Sequence, residues 1–123
     1  MVYDRVTSDA AIRRFAWMVR TGEVAEPYGD LRLGVDLGTA NVVLSVVDAE
    51  NQPVAGGWVH STVVRDGVVV DWAGATTIVR RLKDDLERRL GHRFTVASVS
   101  IPPGISEGDT KVFRNVASAA GLD

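Results

Sequence analysis

The sequence contains no cysteine. That removes disulfides, thiol catalysis and thiolate metal sites together, and it is compatible with a reducing cytoplasm. No apolar run approaches the roughly 20 residues of a membrane span. The opening Met1-Val2-Tyr3-Asp4-Arg5 leads into alternating charge, where a secretory signal would have an apolar core. The cytoplasm is therefore the expected location. Excess charge is missing too: a net charge of −2 offers no basic face, so neither nucleic acid nor an anionic membrane is expected as a partner. Two nucleotide signatures, the Walker-type Gly-x-x-x-x-Gly-Lys-Ser/Thr and Gly-x-Gly-x-x-Gly, do not occur. The two histidines, His60 and His92, have no third ligand to make a metal site with them.

What is present is a chain of 123 residues, 46% hydrophobic and 24% charged, enough for one domain with a real core. Residues 8–21 have helical spacing, with Ile12, Phe15, Ala16 and Val19 on one side, Ser8 as N-cap and Gly22 as the stop. Thr21 to Asp30, with Pro27 and Gly29, reads as a linker. Two β-branched runs, Leu33-Gly34-Val35 and Val42 to Val47, flank a turn of small residues and predict a hairpin with a buried first strand. A third strand region runs from Val54 to Val64, where Gly56 and Gly57 suggest a bulge or a close backbone approach. Arg65-Asp66-Gly67 is a turn before Val68-Val69-Val70.

From Trp72 to Leu90 the period becomes helical, with a stripe of Ile78, Val79, Leu82, Leu86 and Leu90 and a left-handed cap at Gly91. Arg81 with Asp85, Lys83 with Glu87 and Asp84 with Arg88 are spaced to pair four apart, each worth only about 0.2–0.5 kcal/mol. Asp84 and Asp85 read as a solvated helix face, and Lys83 and Lys111 as solvated side chains. Thr95 to Ile101 is a strand ended by Pro102-Pro103-Gly104. Ser106 and Asp109 resemble a capping box before a last helix that carries Val112, Phe113, Val116 and Ala120 and ends at Gly121. Trp58 and Trp72 read as core or edge aromatics; exposure would make them a contact surface.

The chemistry concentrates in Asp36-Leu37-Gly38-Thr39-Ala40-Asn41. A tight turn of small residues between strands can aim several backbone N–H groups into one concavity, which suits phosphate oxygens. Gly38 permits close approach or a positive φ, Thr39 adds a hydroxyl, and Asp36 supplies a carboxylate for Mg²⁺, which keeps most of its waters. The same residues also build ordinary hairpin turns.

Leu33 to Asn41 resembles the first phosphate motif of the actin-like ATPase superfamily, which includes the DnaK-type chaperones, MreB, FtsA and sugar kinases. Two further blocks carry the likeness. Arg65-Asp66-Gly67-Val68-Val69-Val70-Asp71 is similar to a segment of MreB. Ala97 to Gly104, followed by a helix ending Ala119-Ala120-Gly121-Leu122, is similar to the strand, Pro-rich turn and helix of MreB and the chaperones. The Ile101-Pro102-Pro103-Gly104 form fits the ethanolamine-utilisation members best. The resemblance covers Leu31 to Asp123.

It implies a ribonuclease H-like α/β fold: a three-stranded antiparallel meander extended by a parallel strand, with helices packed on the sheet and an N-terminal helix added. Residues 1–30 would be that amphipathic helix and its linker, and 31–123 the first half of an actin-like ATPase domain. It further implies ATP and Mg²⁺ as cofactors. Asp36 would hold the metal through water as the catalytic carboxylate, and Gly38, Thr39, Ala40 and Asn41 would form the cofactor-binding loop, with Gly38, Thr39 and Ala40 donating N–H groups to phosphate. Ala40 stands where the chaperones carry a second Thr. Neither lysine matches the chaperones' catalytic lysine, and the second phosphate loop and adenosine motif would have to follow Asp123, so the chain alone is expected to be inactive. The function implied is that of a chaperone-like or actin-like ATPase serving ethanolamine-utilisation enzymes or a bacterial microcompartment. The alternative is a non-catalytic interaction scaffold of the FtsA- or PilM-like type, with helix 8–21 packing on its own domain or docking to a partner. Exposed sheet edges predict self-association.

Overall fold

A computed structural model describes the backbone from Arg5 to Asp123 and side chains from Asp9 onward. The sequence reading of Met1 to Asp4 lies outside the described residues. Helix α1 (Arg5–Thr21) precedes strands β1 (Arg32–Leu37), β2 (Asn41–Val47) and β3 (Pro53–His60). A small ribbon of β4 (Val64–Arg65) and β5 (Val68–Val69) follows, then α2 (Trp72–Leu90), β6 (Ala97–Ser100) and α3 (Glu107–Ala119).

The main sheet has the order β3-β2-β1-β6. β1–β2 and β2–β3 are antiparallel, and β6 joins β1 in parallel. Alternation decides the faces. Leu33, Val35 and Leu37 of β1 and Val42, Leu44 and Val46 of β2 are buried on one face and form the core with Val79 and Leu86 of α2 and Phe113 and Val116 of α3. Each such side chain contributes about 1.5–3 kcal/mol by leaving water. Gly34, Asp36, Ser45, Ser98 and Ser100 alternate with these and point to the other face.

Helix α1 covers part of that second face. A Cβ placed at Gly56 would meet the Phe15 ring and Val19 of α1, whereas one at Gly57 would meet Leu82 of α2 at 3.2 Å. The two adjacent glycines therefore let one helix approach each face of the same strand. This is the close approach expected of them; the register shift of β3 lies instead at Val46/Val47. Met18 of α1 is buried. The helix packs on its own domain, and it is already helical at Arg5, so Ser8 does not start it.

Segment 21–30 is tied down where a free linker was expected. The Ala25 N–H donates to Val54 O at 2.8 Å, and the Ala49 N–H to Tyr28 O at 3.0 Å. The Tyr28 N–H donates to the Asp48 carboxylate, which also accepts from Glu50 and Gln52. Burial pushes the Asp48 carboxyl upward, but the N–H groups of Gln52, Tyr28 and Glu50 and the nearby Arg32 outweigh it, so it lies below the usual carboxylate range. Arg89 of α2 reaches Gly22 O and Gly56 O, joining α2 to β3 and to the end of α1.

Helix α2 matches its predicted span. Asp71, which the sequence reading passed over, caps it by accepting from the Gly74 N–H at 2.9 Å, and Gly91 at φ 62° closes its C-terminus. The helix corrects one expectation: Lys83 is only 8% exposed. It falls four residues after Val79 and three before Leu86, on the apolar stripe itself, and its ammonium lies 3.3 Å from Glu87. Burial raises the Glu87 carboxyl, yet the Phe94 N–H and Lys83 hold it below its ordinary value. Arg81–Asp85 and Asp84–Arg88 do not form; Asp85 pairs with Arg88 and Arg89 instead. The third strand ends at His60 rather than Val64, because its partner β2 begins at Asn41, opposite His60. The last strand is likewise shorter than Thr95–Ile101, pairing with β1 only over Ala97–Ser100. Ser106 accepts from the Asp109 N–H at 3.1 Å and starts α3 as anticipated. Trp17, Trp58 and Trp72 are each about half exposed, so the last two belong to the surface and not to the core.

Candidate functional site

Strands β1 and β6 run in parallel and end side by side, and a cavity of about 330 Å³ opens at their carboxyl ends. Ligands of open α/β sheets sit at such strand ends, because the chain turns away there and leaves a crevice. One wall is the β1–β2 turn with Asp36, Leu37, Gly38 and Thr39. The facing wall is Ser100 to Pro103, and Val64 and Gly67 of the β4–β5 ribbon close the side. The ribbon turns at Asp66 and Gly67, both at positive φ as a type I′ hairpin requires.

A hollow of about 390 Å³ adjoins this cavity over Gly34, Ser45 and Ser98 and shares Asp36 and Ser100 with it, while two larger hollows elsewhere have different chemistry. One of about 460 Å³ lies between β6 and α3, and one of about 620 Å³ lies beside α1, lined by Phe15, Val19, Val43 and Trp58. Neither combines a strand-end carboxylate with a small-residue turn.

Register explains the turn. Leu37 pairs with Val42, so Gly38 faces Asn41 across a two-residue loop of Thr39 and Ala40. The Gly38 N–H donates to Asn41 O at 2.9 Å. Gly38 does not have positive φ, so its role is close approach: a Cβ there would lie 2.9 Å from Asn41 O. This corrects the expectation that Gly38 offers its N–H to a phosphate, since that donor is already committed within the turn. Ala40 O accepts from the Ser61 N–H at 2.9 Å, which braces the loop from the segment after β3.

Of the five residues singled out, Asp36, Gly38 and Thr39 line the cavity; Ala40 and Asn41 do not, and Asn41 faces the hollow beside α1. Asp36 is exposed, and among the described residues it takes part in no ion pair. Its carboxylate, the Thr39 hydroxyl and the Ser100 hydroxyl are the polar side chains of the lining; the rest is apolar or glycine. Such a set suits a hydrated divalent cation and the oxygens of an anion, with few direct protein ligands to the metal. Among the described residues no cluster of three His, Asp or Glu side chains could hold a metal by itself. Sequence reasoning passed over Ser100, which was visible only as a strand residue; its parallel register opposite Asp36 was the missing information.

The architecture defines a mixed α/β protein with a small cleft, carrying three polar side chains, at the ends of two parallel strands. No protein-family model matches the chain. It is 52% identical over 93 residues to the ethanolamine utilization protein EutJ of Escherichia coli K12 and 53% identical over 93 residues to that of Salmonella typhimurium LT2. Each match covers 76% of this chain and 32% of the relative, so the chain spans about a third of the length of these curated proteins. The crystal structure of EutJ from Carboxydothermus hydrogenoformans is similar at a TM-score of 0.91 and 37% identity, over 96% of this chain and 43% of that one. In sequence and in fold the chain thus resembles EutJ, over part of that protein's length.

Proposed function

We propose that this chain is the first nucleotide-phosphate-binding half of an actin-like, ribonuclease H-type ATPase with a chaperone-like role in ethanolamine utilisation. In this reading residues 31–123 are the first half of the domain, and α1 is an addition docked on the outer sheet face. ATP and Mg²⁺ are the cofactors. The Asp36 carboxylate accepts from the metal's waters, and the Thr39 hydroxyl and the Thr39 and Ala40 amides receive the β- and γ-phosphates. When bound, Mg²⁺ supplies neutralisation of the charge that builds on those oxygens during attack by water. The protein's own part is positioning, with Gly38 and Asn41 setting the shape of the turn. Ethanolamine-utilisation enzymes or proteins of a bacterial microcompartment are the proposed partners, in the cytoplasm; the likeness to EutJ supports the link to ethanolamine utilisation.

The observation that carries the reading is the open cleft beside the Thr39 turn, in front of an Asp36 that makes no ion pair among the described residues. Phosphorus NMR of ATP titrated with the chain, with and without Mg²⁺, tests it. Weak, Mg²⁺-dependent shifts of the β and γ signals are expected, with affinity reduced about tenfold or more in Asp36→Ala. Signals that stay unmoved at millimolar protein, alike for both proteins, would remove the proposal.

A further inference from the structure

We infer that Ser100 is a positioning residue of the same site, holding the water shell of the divalent cation together with Asp36; the inference rests on the nucleotide reading above. Strand β6 is parallel to β1, with Ser100 in register with Asp36. Parallel neighbours in register project to the same face from strands about 4.8 Å apart. A single water spans such a gap between a carboxylate and a hydroxyl. Both residues are exposed, and both line the strand-end cavity and an adjoining hollow of about 390 Å³ over Gly34, Ser45 and Ser98.

The composition of the facing wall makes Ser100 the group that matters. Beyond it come Ile101, Pro102 and Pro103, and the two prolines have no N–H to offer. Val64 and Gly67 add no polar side chain. Within the strand-end cavity the facing wall therefore offers the waters held by Asp36 one side-chain hydroxyl, that of Ser100. A hydrated Mg²⁺ has more water hydrogens to place than one carboxylate can accept, so a second acceptor orients the shell and fixes the metal against the phosphates. A serine hydroxyl can also donate to Asp36 while it accepts from water.

Ser100→Ala, Ser100→Thr, Asp36→Ala and the double variant Asp36→Ala/Ser100→Ala test this by phosphorus NMR, with ATP as the probe, in Mg²⁺ and in EDTA. Ser100→Ala is expected to weaken binding about three- to tenfold in Mg²⁺ and to leave binding in EDTA unchanged. Ser100→Thr should restore it, and the double variant should be no weaker than Asp36→Ala, because both groups act through the same waters. Thermal unfolding should be the same for all four, as both side chains are exposed. If Asp36→Ala loses Mg²⁺-dependent binding while Ser100→Ala matches the parent chain, the role of Ser100 is overturned and the nucleotide reading stands. An equal loss for Ser100→Ala in Mg²⁺ and in EDTA also overturns it, by showing direct phosphate contact. If the parent chain shows no Mg²⁺-dependent binding at all, both readings fall.

Discussion

Replacing Gly56 by alanine should loosen α1 from the sheet. The new Cβ would lie 2.7 Å from Phe15 Cζ and 2.9 Å from Val19 Cγ2, inside the 3.0 Å that real Cβ atoms essentially never cross. Carbon atoms prefer about 3.5–4.0 Å, so the helix or the Phe15 ring must retreat by close to an ångström. Overpacking of this kind costs about 1–3 kcal/mol. Alanine regains about 0.5–1 kcal/mol over glycine within a strand. The net loss is then up to about 2.5 kcal/mol, or a fall in Tm of up to about 15 °C for a chain of this size. Circular dichroism melts measure that loss, and hydrogen exchange of the α1 amides shows whether the helix has opened. Phe15→Ala removes the main obstacle, so in that background Gly56→Ala should be nearly neutral, a coupling of up to about 2.5 kcal/mol in a double-mutant cycle. A Gly56→Ala protein with unchanged Tm, unchanged α1 exchange and no coupling to Phe15 would refute the docking of α1 on β3.

Other consequences follow from the buried charges. Asp48 and Glu87 both have carboxyls held below their ordinary range in the folded chain. The stability they contribute is therefore complete above the unfolded-state value and is lost as pH falls through the folded values. Urea midpoints from about pH 7 to about pH 3 should decline on the acid side, and Asp48→Asn should flatten that decline. Glu87→Ala leaves the Phe94 N–H without its acceptor and Lys83 with only Asp84 at 3.9 Å, and should cost about 1–3 kcal/mol. Lys83→Met keeps the buried stem and should cost less by denaturant unfolding; the reverse order would contradict the burial of that pair.

The sequence made some parts of this molecule legible for reasons that are local. The hairpin around Asp36 was announced by two β-branched runs, helix α2 by its stripe and the glycine at 91, and helix α3 by Ser106 and Asp109. Chain-distant contacts were harder to read. Segment 21–30 has linker composition, yet it is held by Val54 and Asp48, partners about 20–30 residues away. Lys83 was legible in principle: 79, 83, 86 and 90 share one helical face, and a lysine there with Glu87 one turn on signals a buried pair. Its charge points to solvent and its spacing to the core, and the spacing decides. At the site, residue type points to Asp36 and Thr39 and the cleft gathers both, while Ala40 and Asn41, which come from the resemblance to the superfamily's phosphate motif, do not line it. Ser100 could be found only once the parallel register of β6 was in hand.

The central claim is that the Asp36–Thr39 cleft receives a magnesium triphosphate. Amide-resolved ¹H–¹⁵N NMR of the 123-residue chain, titrated with Mg²⁺ and ATP, tests this most directly. Predicted are shifts at Thr39 and Ala40, with smaller ones at Ser100, Ile101 and Gly67, that vanish in Asp36→Ala. Shifts confined to the hollow between β6 and α3 or to the one beside α1, or none anywhere, would contradict it.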